Sequence, residues 1–308
     1  MAVLSVEKLK DEHAETVRLL LSQGATLDCK DDKHRRTPLI WAIIHGREDL
    51  TELFLDNNAA IHERDGRWDG TPLMWAIWCG RDEMIERLIH HGANPEATDK
   101  AEGRTPLLWA VKFGRHVAAE RLLQKKWEVI EIKDKKELTP LALAYMEGDG
   151  RAAELLLRYG ADPNFKFDSG LPLLMSAIMA GDEPFVHLLV EGNPDTDVQC
   201  RNKKGEPALS VAVKEGRPAI AKILLDNGAL REAKDNQGRT ALLWAVARAR
   251  SDLVELLVRS GANKSATDNE HRTVGQWADW TRDERIIELV SEADAMIHLE
   301  VKSSLPFD

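Results

Sequence analysis

Nine tryptophans occur in this 308-residue chain, and five of them occupy one slot, four residues past a recurring threonine or its equivalent: Trp41, Trp75, Trp109, Trp244 and Trp277. Rings repeated at a fixed register suit two kinds of chemistry. They can anchor apolar side chains of a partner, each contributing on the order of 1–3 kcal/mol to a buried contact. They can also hold a cationic or apolar ligand against their faces. The slots three and four residues beyond the repeating position add His45, Trp78, Phe113, Glu147 and Arg248, and Trp68 stands on the connection ahead of Trp75. In a catalytic use of this surface His45, Glu147 and Arg248 would be the charged or titratable groups. Nothing in their spacing marks a converging acid, base or nucleophile, so no catalytic residue is assigned.

Other chemistries find less support. The ten histidines are scattered, without zinc-type spacing. His90 and His91 end a helix, where a cation suits the dipole. There is no phosphate loop, GxGxxG or GxSxG motif, and neither a metal nor a cofactor is expected. Arg47, Arg81, Arg115 and Arg217 each follow a glycine. They fit partners for helix C-terminal dipoles better than a basic track for an acidic ligand. A net charge of -10 argues against general nucleic-acid binding, which needs a basic footprint. No apolar run is long enough to span a membrane, and the N-terminus turns charged too soon for a secretory signal. Cys29, Cys79 and Cys200 are widely spaced and read as free thiols in a reducing compartment. A monomeric cytoplasmic protein is expected, with the nucleus as a second location.

The elements that position these residues recur with a period. TPLIWAIIHGRED begins at Thr37, and its counterparts begin at Thr71, Thr105 and Thr139, each 34 residues after the last. TALLWAVARARSD follows from Thr240, and TVGQWADW from Thr273. Two degenerate copies begin at Pro172 and Pro207, where the spacing drifts to 33 and 35. Threonine caps a helix start and the proline behind it suits the first turn. The helix closes at a glycine, such as Gly46, Gly80 or Gly114, that tolerates a left-handed cap. A second amphipathic helix follows, as in DEMIERLI from Asp82 to Ile89, and ends at a glycine-led turn. At about 100° per residue, Leu107, Ala110 and Val111 share the buried stripe, and Trp109 lies about 150° from its centre. The tryptophans are therefore expected on the open face of the first helix. Packing between neighbouring repeats is the competing role for any one of them.

The TPLxxA starts, the GADPN and GANPE endings and the period resemble the ankyrin-repeat family over about residues 14 to 290. The resemblance implies an all-α ankyrin-repeat solenoid with β-hairpin loop fingers. It implies a capping half-repeat over 1–30, seven repeats over 31–267, and a C-terminal cap and tail over 268–308. It also implies that the open face of the first helices lines a concave groove. Where the family usually has histidine after TPL, this chain has Ile40, Met74, Leu108, Ala142 and Leu243. Stability in such arrays is near-additive along the stack, and the loop from Gly192 to Gly205 is expected to be a weak point.

Two functions fit this surface. In the first, the groove takes a peptide or helix of a partner protein, with tryptophans as anchors and Arg36, Trp68, Arg104, Arg239 and Arg272 as finger contacts. In the second, a tryptophan-lined pocket binds a small apolar ligand or cyclises or isomerises an apolar natural product, closed by loops or by Met296 to Asp308. The first is favoured, because enzymes need a convergent constellation that the sequence does not display.

Overall fold

The computed structural model describes residues 13–125 and 128–291. The segment Met296 to Asp308 and the outer parts of the expected caps lie outside the described residues. The chain divides into two compact units between Asp162 and Pro163, upstream of the loop from Gly192 to Gly205 in which a weak point is expected.

The first unit opens with α1 (His13–Ser22) and continues as four helix pairs. These are α2 (Pro38–Ile44) with α3 (Glu48–Asp56), α4 (Pro72–Cys79) with α5 (Asp82–His90), α6 (Pro106–Lys112) with α7 (His116–Gln124), and α8 (Pro140–Glu147) with α9 (Gly150–Arg158). First helices pack on first helices, α2 on α4, α4 on α6 and α6 on α8, while the second helices form a parallel row from α3 to α9. The second unit repeats the scheme with α10 (Leu173–Ala180), α11 (Glu183–Gly192), α12 (Ala208–Lys214), α13 (Pro218–Asp226), α14 (Ala241–Ala247), α15 (Ser251–Arg259), α16 (Val274–Thr281) and α17 (Glu284–Ser291).

The local chemistry follows the sequence pattern. Thr37, Thr71, Thr105, Thr139 and Thr240 each accept a hydrogen bond from the backbone amide three residues on, with proline or alanine next in line. Thr273 forms a reciprocal capping box with Gln276. At α10 and α12 the proline moves one place forward, so that Pro172 and Pro207 are themselves the cap residues and supply no side-chain acceptor. The core of each pair is made by the apolar stripe, such as Leu73, Met74 and Ile77 from α4 against Met84, Ile85 and Leu88 from α5, all buried. The family's histidine slot is thus filled by packed aliphatic side chains, Ile40, Met74, Leu108, Ala142 and Leu243.

The expected fingers are turns, with no strand among the described residues. Their only sheet-like contacts there are single antiparallel bridges, Lys166 with Pro172, Arg201 with Pro207 and Thr267 with Thr273.

The Gly–Arg steps have a specific geometry. The first helices α2, α4, α6, α8, α10 and α12 end at a glycine with positive φ, and an arginine of the next repeat lies over four of those turns, at Gly46, Gly80, Gly181 and Gly216. A Cβ on Gly46 would come 2.7 Å from the Arg81 guanidinium carbon, and one on Gly80 would come 3.2 Å from Arg115 Nη1. Arg115 Nη2 donates to the Trp78 carbonyl at 2.8 Å. The arginine therefore satisfies a helix C-terminal carbonyl of the preceding repeat, in the sense the dipole requires.

Candidate functional site

The tryptophans of the repeating slot divide into buried and partly open ones, and four of the five donate to a carboxylate of their own finger. In the fingers ahead of α2, α6, α14 and α16 an aspartate accepts the backbone amides that close the turn and accepts the indole N–H as well. Asp99 takes the amides of Glu102 and Gly103 and, at 2.6 Å, Trp109 Nε1. Asp235 takes the amides of Gln237 and Arg239 and Trp244 Nε1 at 3.1 Å. Asp31 and Asp268 do the same for Trp41 and Trp277.

A guanidinium completes the arrangement. Arg239 lies 3.8 Å from the Trp244 ring centre and ion-pairs with Asp235 at 3.0 Å. Arg272 pairs with Asp268 and covers Trp277 at 4.7 Å. Arg36 is held between Trp41 and Trp75, at 4.9 and 4.3 Å. Trp75 is the exception among the indoles: its Nε1 is buried without a hydrogen-bond partner among the described residues.

This geometry corrects the expected orientation of the ladder. Trp75, Trp109 and Trp244 are buried, and Trp41 and Trp277 are only half-exposed. An indole that donates to its own finger's aspartate turns back over the finger base. There Trp41, Trp244 and Trp277 pack beneath a guanidinium instead of facing outward. The helical wheel placed these rings off the aliphatic stripe correctly, but took no account of the finger above them. The aspartates Asp31, Asp65, Asp99, Asp134, Asp235 and Asp268 were the missed residues. Their signal is a fixed position five or six residues ahead of each cap threonine.

The open apolar surface lies in the next slots along. Trp78 is 43% exposed, Phe113 37% and Met146 59%, at the C-terminal ends of three successive first helices of the first unit. Ring edges join them to the buried rungs: Trp75 to Trp78 at 5.1 Å, Trp78 to Phe113 at 6.4 Å and Phe113 to Trp109 at 5.4 Å. His45 stacks on Trp41 at 5.5 Å, and Glu147 pairs with Lys112 at 2.7 Å beside Phe113. Trp68 is exposed on its finger with Arg67 over its ring. Arg248 belongs to the second unit, 5.9 Å from the Trp244 ring, so it is placed in a different unit from His45 and Glu147. There too Trp280, in the slot three residues beyond Trp277, is exposed and packs edge-on to Trp277. Among the described residues no group of three or more His, Cys, Asp or Glu side chains could hold a metal ion, and no helix is long and apolar enough to cross a membrane.

Capped helix pairs stacked on their neighbours, each headed by a turn, define a helical repeat protein. A family model described as ankyrin repeats (3 copies) matches residues 6–99, 73–167 and 174–268, and the chain belongs to the ankyrin-repeat family. It is 28% identical over 97 residues to an ankyrin repeat and KH domain-containing protein of Caenorhabditis briggsae, a match covering 32% of this chain and 4% of that protein. It is 36% identical over 83 residues to the ankyrin repeat and KH domain-containing protein mask-1 of Caenorhabditis elegans, covering 23% of this chain and 3% of that protein. The match thus spans only a few per cent of either relative's length. The ankyrin repeat domain of human ASB11 superposes with a TM-score of 0.50 at 22% identity, covering 72% of this chain and 96% of that one. That likeness concerns the fold alone. Ankyrin repeats are in general protein-interaction modules.

Proposed function

We propose that the first unit binds a peptide or helix of a partner protein along the open face carried by Trp78, Phe113 and Met146. The observation that supports this is the run of exposed apolar side chains on successive helices. Large rings left open beside buried ones make suitable anchor points, because the contact removes apolar surface from water while the rungs beneath hold the rings in place. His45 and the Lys112–Glu147 pair border the face and supply polar contacts at its rim.

In this reading the chain acts as a monomer and residues 31–267 carry the binding repeats, with 1–30 and 268–308 closing the two ends. Its three free cysteines suit a reducing compartment, the cytoplasm.

The test is selection of displayed peptides on the full chain, followed by titration of a selected peptide against variants. Trp78→Ala with Phe113→Ala should weaken binding by about tenfold or more, equivalent to roughly 1.4 kcal/mol, whereas Trp280→Ala leaves it unchanged. Equal affinity for the paired variant and the parent protein would remove the proposed face.

A further inference from the structure

Two repeats of the second unit depart from the aspartate–arginine–tryptophan arrangement, and a hollow opens beside them. In the finger ahead of α12, Asn202 stands where six other fingers carry aspartate, Glu206 where four of those carry arginine, and Val211 where five of them carry tryptophan. Ahead of α10 the corresponding residues are Phe167, Leu171 and Ser176. Neither repeat supplies an indole to cover the base of its finger. Beside these two fingers lies a cavity of about 350 Å³ with Leu171, Met179 and Val211 on its walls and Lys203, Lys204 and Lys214 around it. That volume sits near the small end of the roughly 300–1,000 Å³ typical of ligand sites.

The charges around the hollow are unequal. Glu206 and Glu215 also border it, but Glu206 is buried and already bonded to Lys214 Nζ and to Asn202 Nδ2, each at 2.6 Å. Lys203 and Lys204 are exposed, and neither makes an ion pair among the described residues. Lys214 also lies 4.8 Å from the Trp244 ring, so its ammonium sits in an environment that accepts an aromatic face.

We propose that this hollow is a second docking point, taking an aromatic side chain from an acidic segment of a partner protein. A ring there would do for these two repeats what Trp109 and Trp244 do for theirs, covering the finger base against an aliphatic wall. Met179 is suited to such a contact, because its thioether is polarizable and adapts to a ring edge. The carboxylates flanking the ring would meet Lys203 and Lys204, giving the site its preference for an acidic partner. The site lies wholly within the second unit and does not depend on the face of Trp78 and Phe113.

The experiment uses the full chain and a fluorescein-labelled pentapeptide with a central tryptophan between pairs of aspartates. Fluorescence anisotropy reads the affinity, and amide shifts of the ¹⁵N-labelled protein read the location. A saturable transition is expected, with shifts clustered at 169–171, 202–206 and 211–215. Val211→Trp, which fills the hollow from within, should abolish binding without lowering the melting temperature. Lys203→Glu with Lys204→Glu, both on the surface, should weaken binding about tenfold or more, a change of roughly 1.4 kcal/mol. Trp78→Ala should leave it unchanged, which separates this site from the face of the first unit. The proposal is overturned if no saturable binding is seen up to about 1 mM, a free energy of roughly -4 kcal/mol. It is equally overturned if a lysine-flanked peptide binds as well, if Val211→Trp binds normally, or if N-acetyltryptophanamide alone matches the peptide, which would mark a small-molecule site.

Discussion

Trp109 Nε1 donates a 2.6 Å hydrogen bond to Asp99 Oδ2, and both side chains are buried. The bond ties a helix of one repeat to the base of its finger through the carboxylate oxygen that the turn amides of Glu102 and Gly103 do not use. Hydrogen bonds to charged groups contribute about 1.5–3 kcal/mol, and breaking one leaves the buried carboxylate short of a donor. Trp109→Phe should therefore lower the unfolding free energy by about 1–3 kcal/mol. Trp78→Ala, on the open face, should change stability far less. Urea unfolding of the two variants checks the order. A larger loss for Trp78→Ala would mean that the exposed ring, and not the buried one, holds the stack.

Gly80 tests the arginine that crosses from one repeat to the next. Its φ is +67°, and a Cβ there would stand 3.2 Å from Arg115 Nη1. Gly80→Ala forces both a left-handed conformation on alanine and a shift of the guanidinium from the Trp78 carbonyl. The expected cost is about 1–2 kcal/mol, of which the backbone supplies roughly 1. Arg115→Ala with Gly80→Ala in a double-mutant cycle should show coupling of about 0.5 kcal/mol or more, because the two share one contact. Strict additivity would mean that the guanidinium yields at no cost.

The order of helices was legible in the sequence because it rests on local rules: a threonine cap, a proline in the first turn, a glycine at the end, an aliphatic stripe. The orientation of the tryptophans was not, because it rests on a contact of nine or ten residues in sequence, from Asp99 to Trp109 or from Asp235 to Trp244. A helical wheel sees only one helix. It placed Trp78 and Phe113 on the open face correctly, since the finger does not reach those positions. It could not show that Trp109, one turn earlier, is claimed by the aspartate overhead. The hollow beside Val211 was hidden for the same reason: it is defined by the residues that fail to cover a finger.

Cys200 should be chemically silent in the folded protein. It is buried, and burial, with the nearby Asp197 charge adding to it, pushes the thiol pKa up to about 12. The thiolate is the reactive form, so at pH 8 its population falls well below that of an ordinary cysteine. A disulfide reagent at pH 8 should modify Cys200 at least about 100-fold more slowly in the native protein than in urea, measured by mass spectrometry of the labelled peptide. Equal rates would show that the segment opens readily.

The finger carboxylates also predict the direction of acid sensitivity. Burial alone would raise the carboxyl pKa of Asp235, but the amides of Arg239 and Gln237 and the Arg239 guanidinium outweigh it, and the group lies below its ordinary value. Asp268 and Asp31 are lowered in the same way, with the indoles of Trp277 and Trp41 among the donors. A carboxyl whose folded pKa is depressed binds protons less readily than it does in the unfolded chain, where aspartate titrates near about 3.9. Its stabilising contribution is therefore complete above that value and is lost as pH falls through the folded pKa values. Unfolding free energy from urea titrations should be flat with respect to these groups near neutrality and fall steeply below about pH 4. Asp235→Asn should cost stability at pH 7 and flatten part of the acid slope. An unchanged slope in that variant would show that the finger carboxylate does not couple folding to protons.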